Sequence, residues 1–189
     1  MRYWLDSLDR IAAVDGEWRA FAVENGAEEL TEESVVGRSV FSFIADESVR
    51  HLWALLLRRA RQGVVVQVPI RCDSPDDFRA LELVVTMDGP DLLLVTTSML
   101  FVVPRPSVRL LRKVGPRSTS SVRICSWCKR IEVPVRGWCE VEEAAVLLEV
   151  LTGATPPGLE QGSCLDCYPS IAARAGDAEA GPSPAGPKA

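Results

Sequence analysis

Two CxxC pairs in the last third of the chain restrict its fold more than any other feature of the sequence. The first pair is Cys125 with Cys128, the second is Cys164 with Cys167, and 35 residues separate the two pairs. Together they supply four thiolates, which is the complete ligand set of a tetrahedral structural zinc ion. Because an all-thiolate site leaves no coordination position for water, the spacing predicts a metal-stabilised fold and disfavours metal catalysis.

A thiol redox protein is the alternative interpretation of the same cysteines, since CxxC is also the motif of disulfide exchange. Such a protein needs a single pair, opening a helix after a strand, and gives no reason for a second pair. We therefore predict that all four cysteines bind a structural Zn²⁺. Of the other two cysteines, Cys72 is expected to be a core thiol on a strand, and Cys139 a thiol outside the metal site.

The ends and apolar runs of the sequence bear on where the protein works. No stretch of about 18 uncharged apolar residues is present, so no membrane span and no membrane partner are expected. Residues Met1–Asp6 lack the apolar core of a signal peptide. These features predict a cytoplasmic protein, and in a reducing compartment paired cysteines hold metal more often than they form disulfides.

Charge is distributed unevenly along the chain. Residues 104–136 hold nine Lys/Arg against one Asp/Glu, whereas residues 1–103 hold 10 against 17 and residues 137–189 hold two against eight. The basic segment either contacts phosphates or docks on acidic neighbours and the anionic metal site. We favour docking because the cations are spread out without a nucleic-acid-binding motif. A nucleic-acid-binding transcriptional regulator that uses residues 105–136 remains the alternative function.

Hydrophobic periodicity predicts an α+β fold. The helix with the clearest apolar face has Asp46 as its N-cap residue and Gly63 as its stop. A short lead-in helix is expected over Met1–Leu8. The predicted strands cover residues 10–15, 18–23, 64–72, 81–87 and 92–103. Two strands, a helical middle and three strands favour one five-stranded antiparallel sheet with helices on one face.

Composition predicts how this chain is divided. The sheet with its lead-in helix occupies residues 1–103, a basic linker follows over 104–122, and a zinc-stabilised domain covers 123–170. Residues 171–189 are almost entirely Ala, Gly, Pro and Ser. They contain few large apolar side chains and are expected to be disordered.

Residues about 10–103 resemble a PAS domain. The matching segments are Trp18-Arg19-Ala20-Phe21-Ala22, Asn25-Gly26, Val36-Gly37-Arg38-Ser39, Phe43-Ile44 and Arg71-Cys72-Asp73-Ser74-Pro75. The resemblance implies a sensory fold with five antiparallel strands and helices across one face. It also implies an unidentified small ligand in the helix-covered cavity, or a signalling protein as partner.

Residues about 123–169 resemble a zinc-knuckle extension found beside bacterial signalling modules. The matching residues are Ile124 to Ile131, Trp138 and Glu140 to Glu143. The usual second knuckle of that extension reads His-Gly-Ile-Cys-Pro-x-Cys. Gln161 replaces the histidine and Leu165 the proline, whereas both cysteines are kept. The resemblance implies a four-thiolate site and leaves the role of Gln161 open.

Together these features predict a non-enzymatic signalling or regulatory protein of bacterial type. No nucleotide-binding loop or hydrolase motif is present, and His51 is the only histidine. A surface position is expected for His51, because it lies off the apolar helix face. We also expect a homodimer, formed through the apolar strand Leu92–Val103 and the lead-in helix. The sequence does not identify a sensed ligand, a partner or an output.

Overall fold

The larger sheet has five antiparallel strands. A computed structural model describes residues 1–112, 115–152 (without the Thr152 side chain) and 155–176. The strands are β1 (Arg2–Leu5), β2 (Ile11–Val14), β3 (Val66–Arg71), β4 (Asp77–Met87) and β5 (Leu93–Pro104). Their order across the sheet is β2-β1-β5-β4-β3, and every neighbouring pair is antiparallel. The predicted α+β fold class is confirmed.

Alternation of buried and less buried side chains explains the central strands. Leu81, Leu83 and Val85 of β4 are buried, as are Leu93 and Val95 of the neighbouring strand β5. A period of two places these side chains on one face of the sheet. Strand β3 lies at the sheet edge, where its proline at position 69 costs no hydrogen bond in the interior of the sheet.

Three helices follow the first two strands: α1 (Trp18–Glu24), α2 (Glu32–Val35) and α3 (Glu47–Arg61). Helix α3 is the longest and buries Leu52, Leu56 and Ala60 completely. Its first turn is capped by Asp46, whose Oδ1 accepts a hydrogen bond from the Val49 backbone N–H at 3.0 Å. The predicted start of this helix is therefore confirmed in its atomic detail.

The N-cap of α3 gives a first prediction. Replacing Asp46 with alanine should lower the free energy of unfolding by about 1 kcal/mol, because one backbone N–H loses its partner. Asp46→Asn is the matched control, since asparagine caps helices as well as aspartate does. Urea denaturation measures both variants. An equal loss in both would assign the effect to the 3.9 Å ion pair between Asp46 and Arg123, and the capping explanation would be wrong.

The lead-in helix predicted over Met1–Leu8 is wrong, because β1 occupies this segment. Tyr3 and Leu5 are buried while Arg2 and Trp4 are more exposed, which is the period of a strand. Strand β1 pairs on one side with β2 and on the other with β5. Strand pairing decided the outcome, since the apolar residues of so short a segment fit either periodicity.

The strand predicted over residues 18–23 is also wrong, because the segment forms α1. Ala22 is its buried residue, and Trp18 lies four positions earlier, one helical turn away. The Trp18 ring packs edge-on against Tyr3 at 5.8 Å, and its indole N–H donates to the Leu30 carbonyl at 2.8 Å. A helix places both residues on the face that meets β1.

The C-terminal third forms a second, smaller sheet. Its strands are β6 (Ser121–Cys125), β7 (Ile131–Val133), β8 (Gly137–Cys139) and β9 (Gly158–Gly162), in the order β8-β7-β6-β9. Strands β6 and β9 are parallel, and the other pairs are antiparallel. The described residues of this part of the chain also form helices α4 (Val141–Thr152) and α5 (Cys167–Arg174).

Helix α5 corrects the prediction that disorder begins at residue 171. Ile171, Ala172 and Ala175 are buried in the same hydrophobic core as α3 and the larger sheet. Average composition hid this face, because small apolar residues at helical spacing are enough to pack against another helix. Residues 177–189, the rest of the predicted tail, lie outside the described residues.

The small sheet and α4 have a core of their own, but residues of the cysteine pairs and of α5 join the core of the larger sheet. The core of the larger sheet includes Cys125, Trp127, Cys164 and Tyr168 from the C-terminal third. The boundaries at 103, 122 and 170 stay predictions, but the apolar contacts cross all of them. No described helix is both long enough and apolar enough to cross a lipid bilayer.

Candidate metal centre

Parallel pairing of two strands brings the CxxC pairs together. Strands β6 and β9 run side by side, with Cys125 opposite Gly162 at their ends. Each strand leads directly into one cysteine pair. Both pairs therefore leave the small sheet at the same end, despite the 35 residues between them.

The four predicted ligands form one cluster. The sulfur atoms of Cys125, Cys128, Cys164 and Cys167 all lie within 4.8 Å of one another. A zinc ion about 2.3 Å from four tetrahedral sulfurs requires sulfur–sulfur distances of about 3.8 Å. The distance between Cys128 Sγ and Cys164 Sγ is 3.7 Å. All four thiols are free of disulfides, so the donor set fits a tetrahedral thiolate-bound metal such as zinc.

Backbone hydrogen bonds shape the two knuckles around these sulfurs. The Cys164 N–H donates to Cys125 Sγ and the Cys167 N–H donates to Cys164 Sγ, both at 3.4 Å. The first knuckle closes through a 2.7 Å hydrogen bond from the Cys125 N–H to the Arg130 carbonyl. Lys129 lies in this turn with a φ of 65°. The N–H groups of Cys164 and Cys167 stabilise negative charge on the sulfur atoms that accept their hydrogen bonds. A metal cation binds these sulfurs in the same negatively charged, thiolate form.

Proton sharing within the cluster favours thiolate at its buried members. Hydrogen bonds from Cys128, Cys164 and Cys167 lower the pKa of the Cys125 thiol well below its usual range. For Cys164, the hydrogen bond with Cys125 raises the pKa, but those with Cys128 and Cys167 outweigh it and lower the value to about 7. The hydrogen bond with Cys125 raises the pKa of both Cys128 and Cys167. Crowded thiols that share protons in this way are suited to bind a cation in exchange for those protons.

The cluster is attached to the larger sheet at several points. Trp127, inside the first knuckle, packs on Trp53 of α3 with ring centroids 6.1 Å apart. The Arg71 N–H of β3 donates to the Trp127 carbonyl at 2.7 Å. Gln161, whose role the sequence left open, accepts a hydrogen bond from the Ala45 N–H at 3.0 Å through its side-chain oxygen. This hydrogen bond connects β9 to the segment just before α3.

A buried charge network, which sequence analysis missed, joins the two parts of the chain. The Asp73 side chain is fully buried and accepts from Arg71 and from Arg105, the latter at 3.1 Å. Both arginines also reach the start of α4, Arg71 through Glu140 at 2.6 Å and Arg105 through Glu142 at 2.7 Å. Burial acts to lower the pKa of Arg71, but hydrogen bonds to Asp73 and Glu140 outweigh it and raise the value. No sequence signal pairs residues so far apart.

The remaining reactive side chains lie outside the cluster. Cys72 is half-buried, and its thiol donates to the Asn25 side-chain oxygen at 3.2 Å. Cys139 is buried in the core of the small sheet with α4. His51 is exposed on α3 and stacks on the Tyr168 ring at 6.2 Å. The described contacts of these three residues give none of them a position among the metal ligands.

Carboxylates surround much of the basic segment. Among the described cations of this segment, ion pairs are formed by Arg105, Arg123, Arg130 and Arg136. Arg130 lies beside the knuckles and bridges Glu140 and Asp166, whose hydrogen bonds raise its pKa. This geometry agrees with docking on acidic neighbours, the interpretation preferred from the sequence.

An apolar groove of about 370 Å³ lies between residues 106–110 and α4, away from the face that α3 covers. Val108, Leu110, Ala145 and Leu148 line it, and Glu142 and Glu149 lie at its polar part. Between α3 and the larger sheet, aliphatic side chains such as Leu56, Val68 and Val85 meet in the core. A small ligand under α3 stays a prediction from the PAS resemblance.

Comparisons with known proteins do not assign this chain to a family. No protein-family model matches the chain, and no curated protein matches it. One solved structure found is a domain of an HTR-like protein from Haloarcula marismortui. It is 12% identical, and the match covers 53% of this chain and 96% of that one with a TM-score of 0.35. At that score the likeness supports no conclusion, so the chain's chemistry rests on its own residues, above all the four-cysteine cluster.

Proposed function

We propose that this protein is a non-enzymatic signalling or regulatory module of the PAS type, with a structural zinc site that fixes its C-terminal third to the sensory sheet. The observation that supports this proposal is the shared hydrophobic core, to which the cysteine cluster contributes Cys125 and Cys164. A zinc ion bound by four thiolates has no open position and supplies stability instead of catalysis.

Helix α5 is the physical connection in this proposal. It begins at the ligand Cys167 and carries Ile171 and Ala172 into the core beside α3 and β3. The other knuckle contacts α3 through Trp127. Metal bound at the cluster therefore stabilises the packing of α3 and α5 on the larger sheet. A conformational change in the sheet reaches the metal site through the same contacts. A ligand under α3, or a protein partner on this surface, would act through this coupling.

A thiol oxidoreductase is the second candidate, and one observation favours it. Cys164 and Cys167 follow strand β9 and open helix α5, which is the arrangement of a redox CxxC pair. Native mass spectrometry of protein purified without added metal separates the two candidates. One retained zinc ion per chain supports the structural site, whereas a metal-free protein that reduces a disulfide substrate would overturn it. The same spectrum reports any retained small ligand.

Hydrogen exchange with and without a zinc chelator tests the proposed coupling. We expect chelation to increase amide exchange in α3 and β3 as well as in the knuckles and α5, because these segments share one core. Strand β2, at the far edge of the sheet, should change least and is the internal control. Faster exchange confined to residues 121–176 would show that the metal unit and the sheet are independent.

A further inference from the structure

Strand β5 continues well beyond its neighbour β1. It has 12 residues, of which β1 pairs with Leu93 to Thr96, and Met1 adds backbone hydrogen bonds with Thr97. Strand β4 pairs along the other side up to Pro104. From Ser98 to Pro104, no strand of the described residues pairs with the β1 side of β5. These seven residues, 98–104, are called the open edge below.

The open edge is apolar and exposed on both faces of the sheet. Its exposed fractions are 47% for Met99, 56% for Leu100, 53% for Phe101, 46% for Val102 and 51% for Val103. A β-bulge at Leu100 interrupts the alternation, but Met99 pairs with Leu81 and Phe101 with Ala80, on opposite faces of the sheet, so neither face is covered at this end. The open edge also contains no charged residue. Monomeric proteins usually protect such an edge with charges, a helix or a loop, because it is a template for strand pairing.

Neighbouring contacts hold this edge in place. Phe101 stacks on Phe78 of β4 with ring centroids 5.9 Å apart, and the Arg71 guanidinium lies 4.1 Å from the centre of the Phe78 ring. Just after the edge, the Arg105 N–H donates to the Asp76 carbonyl at 2.8 Å. The open edge is therefore an ordered strand that can pair with little further loss of conformational entropy.

We propose that the open edge is the pairing surface for a second copy of this chain, which adds its own open edge in antiparallel orientation about a two-fold axis. In such a pair, the unpaired N–H groups of each copy donate to the unpaired C=O groups of the other. The lack of charge on the open edge suits a second copy. Two chains that each carry a net charge of −5 can meet there without like charges facing each other.

The contact would bury the unpaired backbone groups of the open edge and the facing parts of its five exposed apolar side chains in each copy. Pairing would join the two larger sheets into one continuous sheet. This interface does not depend on the proposed signalling function.

Sedimentation velocity of the full chain tests the proposal. A dimer is expected at tens of micromolar, and Leu100→Lys or Val102→Lys should weaken dimerisation at least about tenfold, because each variant places two like charges close together within an uncharged strand pair. Val150→Lys is the matched control, since Val150 is an exposed valine on α4, outside the open edge. Circular dichroism verifies that each variant is folded. A monomeric wild-type chain, or a dimer that both lysine variants leave intact, overturns the proposal.

Cysteine cross-linking tests the orientation of the two copies. Single cysteines at positions 99, 100, 101, 102 and 103 are oxidised under mild conditions, with the wild-type chain as the control for its six native cysteines. Antiparallel pairing places only residues near the two-fold axis opposite their own copies. Cross-linking should therefore peak at one position and fall away on both sides. Equal cross-linking at all five positions, or at none, contradicts the antiparallel edge.

Discussion

Cys164→Ser should bind no zinc and lose the cooperative unfolding transition of the wild-type protein. Cys164 is 1% exposed, and its sulfur lies 3.7 Å from Cys128 Sγ within the cluster. Structural zinc contributes on the order of 10 kcal/mol to the folding of small units, so three remaining thiolates should not hold the knuckles closed. Because the cluster belongs to the larger core, the loss should also reach α3. Metal analysis and thermal denaturation measure the two effects.

Cys139→Ser provides the matched control for this experiment. Cys139 is also a buried cysteine of the C-terminal third, but it lies in the core of the small sheet, outside the cluster. This variant should keep one zinc ion per chain and unfold cooperatively at a modestly lower temperature. Equal zinc contents in Cys164→Ser and Cys139→Ser would refute the ligand assignment.

Asp73→Asn should destabilise the protein by about 3–5 kcal/mol, the usual effect of removing one partner from a buried ion pair. Only 12% of the Arg71 side chain and 6% of the Arg105 side chain are exposed, and the Asp73 carboxylate between them is fully buried. Asparagine is similar in shape but carries no charge. The substitution therefore leaves two guanidinium groups close together and largely out of water.

Asp76→Asn is the control, because it makes the same change at an exposed position three residues away. Urea denaturation should show almost no effect for this variant, since surface substitutions rarely change stability by more than about 0.5 kcal/mol. Zinc content should stay at one ion per chain in both. A difference of less than about 1 kcal/mol between the two variants would mean that Glu140 and Glu142 alone neutralise the arginines.

Residue spacing along the chain was enough to predict strands β4 and β5 and helix α3. The alternation in β4 and β5 and the apolar face of α3 follow directly from residue spacing, and the α+β fold follows from their order. The metal cluster was also predictable, since four cysteines in two CxxC pairs have few other uses. The edge position of β3 agrees with Pro69, which has no backbone N–H to donate to a further strand.

The features that sequence analysis missed are decided by tertiary contacts. Strand β1 depends on pairing with a strand about 90 residues later in the chain. Helix α5 depends on apolar neighbours in α3 and β3, which its Ala-rich composition does not indicate. The Asp73 network joins residues separated by more than 60 positions, such as Arg71 and Glu140. In each case, contacts between residues far apart in the sequence determine a structure that the local sequence pattern leaves ambiguous.

The parallel alignment of β6 and β9 lets the two strand ends position the ligands, whatever the length of the turn at the far end of the small sheet. Lengthening the turn between β7 and β8 would act mainly through loop-closure entropy, where doubling the length of a loop costs only about 0.6 kcal/mol. Val135 is fully exposed at the tip of the turn between β7 and β8. Foreign peptides grafted at this tip would extend away from the thiolates, which makes the small sheet a scaffold for displaying new binding elements.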